Sequence, residues 1–284
     1  MLILNHVTKK FGKEIVIEDF NLQFEEGVNV LLAPNGAGKT TLIKMIVTLM
    51  QPTSGEILYS GRNINQLNEQ YRNILGYLPQ KAGYYKNYTA EEFLYFLGIL
   101  KNVDEKKIGD RIDDLLQLVE LNDAKKKKIG FFSGGMIQRL LIAGVLINQP
   151  KIIILDEPTT GLDPKERIRL KNIISRISRD KIVILSTHIT SEIEFIANKI
   201  IMIKDRKILC HDSVSNVVSL VNGKIFETCV NAEIVNIFED KYLIISERQE
   251  GDMVNLRFYY EGVAPNNCRV VSPSLEDVFI VTYK

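Results

Sequence analysis

The apolar residues of this chain fall into short continuous runs and into segments of helical spacing, and the two kinds alternate. The runs at residues 28–33, 152–155 and 182–185 are almost wholly apolar, which is typical of parallel strands covered by helices on both faces. Between the last two runs, apolar residues recur at helical spacing from 168 to 177. This order predicts a strand–helix–strand crossover within a mostly parallel sheet.

Two further strands, at residues 2–9 and 14–24, are predicted ahead of the first run, and they indicate an antiparallel N-terminal lobe. From about 88 to 150 the apolar residues again recur at helical spacing, which predicts a helical insert in the α/β core. A shorter helix is predicted directly after residue 41, from the spacing of Leu42, Ile43, Met45, Ile46 and Leu49.

The pattern changes once more beyond about residue 223, and later in this segment apolar residues alternate with others at period two. Such alternation is typical of a half-exposed antiparallel strand. It runs through Val254, Leu256, Phe258 and Tyr260. We therefore predict an α/β fold in two domains, a core at residues 1–222 and a small α/β appendage at 223–284.

Composition narrows the function classes only slightly. The 284 residues are 45% hydrophobic and 25% charged, the ordinary mixture of a soluble globular protein. Lys and Arg (36) nearly balance Asp and Glu (35), so the net charge of +1 provides no general attraction to nucleic acid or to an acidic membrane surface. No apolar run approaches the roughly 20 residues of a membrane span, and the start has no signal-peptide pattern. We expect a cytoplasmic chain that binds no nucleic acid and reaches the membrane only through a partner.

The cysteines are odd in number and have no metal-ligand spacing. They are Cys210, Cys229 and Cys268. We expect all of them to be small buried hydrophobes in a reducing compartment. The four consecutive lysines at 125–128 are interpreted as a solvated loop.

A glycine-rich segment lies between the run at 28–33 and the helix predicted after it. A triphosphate needs many hydrogen-bond donors in a small space, and backbone N–H groups provide them where glycines let the chain curl at a helix N-terminus. In this pattern Lys39 would bridge the β- and γ-phosphates, and the Thr40 hydroxyl would coordinate Mg²⁺. The candidate phosphate-binding residues are Ala33, Pro34, Asn35, Gly36, Ala37, Gly38, Lys39, Thr40 and Thr41.

The first position of this loop departs from the usual pattern, which opens with glycine. Ala33 precedes Pro34, and a residue before proline is driven toward extended or polyproline geometry, in which a Cβ meets no clash. We therefore expect Ala33 to have a negative φ and the loop to bind phosphate without the glycine.

Two adjacent carboxylates follow the apolar run at 152–155. In open α/β sheets, ligands bind at the carboxyl ends of the strands, where Asp156 and Glu157 would lie. We expect Asp156 to hold the magnesium shell and Glu157 to act as the general base that orients the attacking water. Taken alone, the pair would also fit a strand that simply ends in solvated acids.

Further short motifs accompany the loop and the acidic pair. Phe132-Ser133-Gly134-Gly135-Met136 resembles the signature motif of the ABC ATPase family, which normally reads Leu-Ser-Gly-Gly-Gln. The family also has a Q-loop glutamine, a D-loop aspartate, a switch histidine and an aromatic residue that stacks on adenine. The matching positions are Gln80, Asp163, His188 and Phe11. The resemblance covers about residues 1–215, in the family's order and spacing.

This resemblance implies a P-loop NTPase fold of ABC type, with ATP and Mg²⁺ as cofactors. Two such domains pair head to tail, and each ATP lies between the phosphate loop of one domain and the signature of the other. The signature residues that would contact the partner's nucleotide are Ser133, Gly134, Gly135 and Met136. The metal would be held by Thr40, Gln80 and Asp156.

The resemblance also implies the catalytic residues, which would be Glu157, His188 and Gln80. His188 would hold the γ-phosphate and the water in line with Glu157, and Gln80 would sense the metal. Met136 lacks the amide of the usual glutamine and loses one polar contact. We therefore expect ATPase activity that is retained but slower or more permissive.

Four of these residues also have simpler interpretations, which the sequence leaves open. His188 could be a hydrogen-bonded core histidine, and Gln80 could cap a turn. Phe11 could belong to the core of a hairpin. Asp163 could be the N-cap of a helix that begins at Pro164, in addition to any contact with nucleotide.

The C-terminal segment at 272–279 resembles the ending of ABC ATPases that serve separate multi-span exporter subunits. We therefore expect the ATP-hydrolysing subunit of an exporter of drugs, antibiotics or peptides. It would act as a homodimer, or paired with another ABC ATPase, on a multi-span membrane permease at the inner face of the cell membrane. Two alternatives stay open: a non-transport ABC ATPase, and for this segment a plain helix with Ser274 as its N-cap.

Overall fold

The structure, a computed structural model, describes residues 1–263 and 266–284, apart from the side chain of Glu192. It divides into two compact units, Met1–His211 and Asp212–Lys284. Within the described residues, no helix combines the length and the apolar character that crossing a membrane requires.

The first unit alternates strands and helices. Its helices are α1 (Lys39–Ile46), α2 (Ile64–Leu67), α3 (Glu69–Asn73), α4 (Ala90–Leu100), α5 (Glu105–Leu118), α6 (Gly134–Val145) and α7 (Pro164–Ile177). Its strands are β1 (Leu2–Phe11), β2 (Glu14–Phe24), β3 (Gly27–Leu32), β4 (Ser54–Tyr59), β5 (Arg62–Asn63), β6 (Leu75–Leu78), β7 (Ile152–Asp156), β8 (Ile182–Thr187), β9 (Lys199–Lys204) and β10 (Lys207–Asp212).

The core sheet has the strand order β10-β9-β3-β8-β7-β6. Neighbours from β9 to β6 pair in parallel, and the apolar residues of β3, β7 and β8 are buried. The parallel sheet and the β7–α7–β8 crossover are therefore confirmed. Because parallel strands end at one edge, the segments that follow β3, β6, β7 and β8 all emerge there, and these four segments carry the predicted phosphate loop, Gln80, the acidic pair and His188.

The antiparallel lobe and the helical insert are also confirmed. A second sheet has the order β2-β1-β4-β5 and pairs antiparallel, with β1 reaching Phe11. Helices α4, α5 and α6 lie between β6 and β7. Thr89 and Glu92 form a reciprocal capping box at the start of α4, which satisfies backbone donors that would otherwise lack partners.

The second unit is a small α/β structure. It consists of α8 (Val214–Ser219), β11 (Ile225–Asn231), α9 (Val235–Glu239), β12 (Leu243–Glu250), β13 (Met253–Tyr259), β14 (Arg269–Val270) and α10 (Leu275–Tyr283). The sheet is antiparallel with the order β12-β13-β11-β14. The predicted alternation holds for Val254, Leu256 and Phe258, which are buried, whereas Tyr260 lies beyond β13 and is exposed.

The predicted domain division at 222/223 differs from the division of the compact units at 211/212. The reason lies in α8, because this helix packs against α10 of the second unit. A short amphipathic helix near a composition change cannot be assigned to either side without its packing partner.

Two expectations about single side chains are wrong. Leu49 lies outside the predicted helix, because α1 ends at Ile46, and it is exposed. Cys229 is exposed because it alternates along β11 with the buried Phe226 and Val230. The other two cysteines, Cys210 and Cys268, are half-buried and are not joined in a disulfide.

Candidate functional site

The glycine-rich loop after β3 is a tight turn that leads directly into α1. Gly36 and Gly38 have φ values of +84° and +99°, in the region that favours glycine. A Cβ on Gly38 would lie 3.2 Å from the carbonyl oxygen of Val16, so this glycine is also required for a close backbone approach. Ala33 does not have a positive φ, as its position before Pro34 predicts.

Lys39 is buried at the first position of α1, and its ammonium group folds back over the loop. Its Nζ donates to the carbonyl oxygen of Ala33 at 2.5 Å and to that of Pro34 at 3.1 Å. The same Nζ lies 4.0 Å from Oε1 of Glu157. Burial lowers the pKa of Lys39, while the charges of Glu157 and Asp156 act in the opposite direction.

The carboxylate of Glu157 lies close to several other predicted site residues. Gln80 Nε2 donates to its Oε2 at 3.2 Å, and Nδ1 of His188 lies 3.3 Å from its Oε1. Thr160 Oγ1 also donates to Oε2 at 3.2 Å. The backbone of Glu157 has a φ of +48°, an uncommon conformation for a residue other than glycine.

Asp156 ends β7 and is almost fully buried. Thr40 Oγ1 donates to its Oδ2 at 3.4 Å, which brings the loop hydroxyl and the strand carboxylate together as predicted. Ser186 Oγ donates to the other carboxylate oxygen at 2.5 Å. Asp156 and Ser186 are direct partners in the parallel register of β7 and β8.

A cavity of about 370 Å³ lies beside the phosphate loop at the carboxyl edge of the sheet. Its lining combines backbone donors of the loop, one buried ammonium, two hydroxyls, two side-chain amides and a carboxylate. The residues are Val16, Asn35, Gly36, Gly38, Lys39, Thr40, Thr41, Gln80 and Glu157. The predicted site residues that lie outside this lining are Phe11, Ala33, Pro34, Ala37, Ser133, Gly134, Gly135, Met136, Asp156, Asp163 and His188.

The signature segment forms the start of α6. Ser133 is the N-cap, and its Oγ accepts from the backbone N–H of Met136 at 3.2 Å. Gly135 packs so closely on Glu166 that an added Cβ would collide with that side chain. Glu166 in turn accepts from Nε of the buried Arg139 at 3.1 Å, which ties α7 to α6.

The simpler interpretations can be compared with this geometry. Asp163 is the N-cap of α7, because its Oδ1 accepts from the N–H of Glu166 at 2.9 Å. Phe11 has 47% of its surface exposed, which does not fit a hairpin core, and the Lys9 ammonium lies 5.2 Å from its ring centre. The side chain of His188 is 40% exposed, which does not fit a core histidine. Gln80 binds Glu157 through its amide.

Sequence reasoning missed Thr160 and Ser186. Thr160 lies three residues after Glu157, within reach of its carboxylate, but the sequence around it reads as an ordinary turn. The sequence does contain an indication for Ser186, because this residue directly follows the apolar run of β8. A buried hydroxyl in such a strand needs a polar partner. Its partner could be found only once β7 and β8 were paired.

A glycine-rich loop with a buried lysine, facing two carboxylates at the carboxyl edge of a parallel sheet, defines a nucleoside-triphosphate hydrolase of the P-loop class. Residues 17–160 match the family model described as ABC transporter. The chain therefore belongs to the ABC transporter family, as an ATP-binding and ATP-hydrolysing subunit.

Relatives and solved structures agree with this assignment. The bacitracin transport ATP-binding protein BcrA of Bacillus licheniformis is 35% identical over 72% of this chain and 66% of its own length. The Nod factor export ATP-binding protein I of Cupriavidus metallidurans is 30% identical over 93% of this chain and 88% of its own. A solved ATP binding subunit of an ABC transporter superposes with a TM-score of 0.69 and 26% identity, covering 78% of this chain and 92% of the other.

Proposed function

We propose that Glu157 is the general base of a magnesium-dependent ATPase that drives export through a separate membrane subunit. The observation that carries this proposal is the convergence on one carboxylate. Lys39, Gln80 and His188, each expected in the site from a different part of the sequence, lie within 4.0 Å of Glu157. A carboxylate held by several polar groups beside a phosphate loop is suited to orient a water molecule.

In this reaction water attacks the γ-phosphorus, the bond from that phosphorus to the bridging oxygen breaks, and ADP leaves. The Glu157 carboxylate accepts a proton from the water as the new bond forms, and it later returns that proton to phosphate or solvent. Lys39 balances the charge of the β- and γ-phosphates, and His188 aligns the phosphate with the water. The residues that would bind nucleotide include the whole loop from Ala33 to Thr41, with Phe11 against the adenine.

The chemistry around Asp156 fits Mg²⁺, which prefers oxygen ligands in octahedral sites. A carboxylate oxygen and the Thr40 hydroxyl already lie 3.4 Å apart. We propose Thr40, Asp156 and Gln80 as the residues that hold the ion. When bound, Mg²⁺ would neutralise charge on the β- and γ-phosphate oxygens.

We also propose that the site is completed by a second subunit, either a copy of this chain or another ABC ATPase. Ser133, Gly134, Gly135 and Met136 do not line the cavity that Lys39 and Glu157 share. Ser133 and Gly134 are nevertheless exposed at the N-terminus of α6, where the positive end of the helix dipole favours an anion. A partner's nucleotide would meet that surface, and Asp163 would lie beside it.

The direction of transport is proposed from relatives. The Nod factor export protein aligns over 93% of this chain, a share that must include most of the second unit. A further relative, BcrA of Bacillus licheniformis, is a bacitracin transport ATP-binding protein by name. We propose that this chain powers export of drugs, antibiotics or peptides from the inner face of the cell membrane, on a multi-span permease.

The experiment that tests the proposed chemistry compares Glu157→Gln with the wild-type chain. The variant keeps the volume and loses the base, so it should bind ATP while phosphate release falls on the order of 10²-fold or more. It should also accumulate as an ATP-bound dimer in size-exclusion chromatography. Glu69→Gln, which changes an exposed glutamate on α3, is the matched control and should behave as wild type. Wild-type phosphate release by Glu157→Gln would remove Glu157 from this role.

A further inference from the structure

Ser186 is a polar residue in an apolar strand. It occupies the next-to-last position of β8, and none of its surface is accessible to solvent. A buried hydroxyl without a partner is unfavourable, so its hydrogen bonds must account for its presence in the core. Those hydrogen bonds all go to the acidic pair on the neighbouring strand.

The side chain of Ser186 contacts both members of the pair at once. Its Oγ donates to Oδ1 of Asp156 at 2.5 Å and accepts from the backbone N–H of Glu157 at 3.0 Å. The carbonyl oxygen of Ser186 also accepts from that N–H, at 3.1 Å. One residue therefore uses its side chain and its backbone to hold two successive residues that the site requires.

The backbone conformation of Glu157 requires stabilising contacts, such as the hydrogen bonds to Ser186. Its φ of +48° lies in the left-handed region, which costs free energy for a residue with a Cβ. Strained residues of this kind persist when the surrounding structure supplies enough contacts to keep them there. For the backbone of Glu157, two of those contacts come from Ser186.

We propose that Ser186 is a positioning residue for ATP hydrolysis. It aims the Asp156 carboxylate toward the metal side of the site and keeps Glu157 in the strained conformation that presents its carboxylate to Lys39, Gln80 and His188. The proposal rests on the proposed roles of Asp156 and Glu157. Valine and isoleucine are the usual residues of such a strand. Neither could make the two hydrogen bonds of the Ser186 hydroxyl, to Oδ1 of Asp156 and from the N–H of Glu157.

Ser186→Ala tests this idea with the smallest change, because it removes one oxygen atom and leaves Cβ in place. Loss of a hydrogen bond to a charged group predicts a fall of about tenfold in kcat. The Mg²⁺ concentration for half-maximal activity should rise by about the same factor. Binding of a fluorescent ATP analogue in the presence of EDTA should change by less than about twofold, since the phosphate loop is untouched.

Two further variants separate positioning from simple stability. Ser178→Ala removes another buried hydroxyl of the same unit, one that donates to the carbonyl oxygen of Ser175, and it should keep wild-type kcat and Mg²⁺ dependence. Ser186→Thr retains the hydroxyl and should recover kcat relative to Ser186→Ala. Melting temperatures show what fraction of each variant is folded at the assay temperature.

A structural readout does not depend on activity. A crystal structure of Ser186→Ala should show the Asp156 carboxylate rotated or the φ of Glu157 moved out of the positive region. In the Glu157→Gln background, adding Ser186→Ala should cost little further activity, because residues that act as one unit are not additive.

The outcomes separate this proposal from the proposed function. If Glu157→Gln releases phosphate at the wild-type rate, the role of Glu157 fails, and with it the part of the Ser186 proposal that concerns Glu157. The part that concerns Asp156 is then decided by the Mg²⁺ dependence of Ser186→Ala. If Glu157→Gln is inactive while Ser186→Ala keeps either the kcat or the Mg²⁺ requirement of the wild type, only the Ser186 proposal is overturned. A loss that merely follows the folded fraction, equal in Ser186→Ala and Ser178→Ala, also overturns it.

Discussion

Arg257 and Asp277 form a two-point ion pair in the second unit. Nε of Arg257 donates to Oδ1 of Asp277 and Nη2 donates to Oδ2, both at 2.7 Å. Asp277 is buried and also completes a capping box with Ser274 at the start of α10. Arg257 reaches Glu227 on β11 at 2.8 Å as well. Arg257 on β13 is thus joined by one ion pair to the first turn of α10 and by a second to β11.

We predict that Asp277→Asn lowers the stability of the folded chain by about 1.5–3 kcal/mol, the range for hydrogen bonds to charged groups. The change leaves Arg257 with Glu227 as its remaining carboxylate and weakens the cap of α10. Calorimetry should show a lower melting transition for the second unit. Glu276→Gln, one residue earlier on the exposed side of α10, serves as the control and should melt like the wild type. Equal melting of both variants would contradict a structural role for the pair.

The same pair predicts a pH dependence. Burial alone would raise the pKa of Asp277, but the hydrogen bonds from Arg257 and Ser274 outweigh it and hold the pKa below its ordinary value. Because the folded pKa is below the unfolded value of ~3.9, the pair's contribution is complete above about pH 4 and is lost as the pH falls through the folded pKa. The difference in melting temperature between wild type and Asp277→Asn should therefore be constant from about pH 5 to 8 and shrink below about pH 4. A difference that grows in acid would refute this account.

The glycines of the signature should respond differently to the same substitution. A Cβ at Gly135 would collide with Glu166, which Arg139 holds in place, whereas a Cβ at Gly134 would meet no atom within 4 Å. We predict that Gly135→Ala destabilises the chain by about 1–3 kcal/mol, as overpacking does. Gly134→Ala should be neutral or slightly stabilising in thermal unfolding, because alanine favours the helix. Equal melting temperatures would mean that Glu166 moves aside freely.

Met136 allows a test of the altered signature. Its backbone N–H, and not its side chain, makes the bond to Ser133, so Met136→Gln should leave the melting temperature unchanged. A restored polar contact is worth about 0.5–1.5 kcal/mol, which corresponds to roughly a two- to tenfold gain in ATP-driven dimer affinity or in ATPase rate. Met136→Leu adds no polar group and is the control. Identical dimerisation and rates for the three chains would show that the position is silent.

The elements that could be predicted from the sequence are those whose physical cause lies within a short stretch of chain. The strands β3, β7 and β8 could be predicted because burial on both faces leaves an apolar run that no other element explains so simply. The phosphate loop could be predicted because only glycine tolerates the φ values found at Gly36 and Gly38. Both signals are local in the chain.

What could not be predicted depends on pairing between distant residues. The hydrogen-bond partner of Ser186 follows from the register of β7 and β8, which places Ser186 opposite Asp156. The assignment of α8 depends on its packing against α10, and the burial of Asp277 depends on Arg257, twenty positions earlier in the sequence. Polar residues whose partners lie on other elements read as ordinary surface residues until those elements are brought together.

The division of the chain leads to the last prediction. Every residue that lines the cavity at the phosphate loop lies in the unit Met1–His211. A chain that ends at residue 211 should therefore bind ATP with an affinity within about threefold of the full chain. We expect it to dimerise poorly or to couple poorly to transport, since the second unit supplies surface and no phosphate chemistry.

The site of the cut provides the control. A chain that ends at Asn222 keeps α8, whose Val217 is buried in the full chain, but removes α10, which packs against α8. It should therefore expose apolar surface on α8 and be less stable than the chain cut at 211. Nucleotide affinity, melting temperature and transport are measured on the same preparations. If the second unit is only a scaffold for the first, the shorter chain loses stability and ATP binding together. Loss of ATP binding in a chain that stays folded would show that the second unit contributes to the nucleotide site itself.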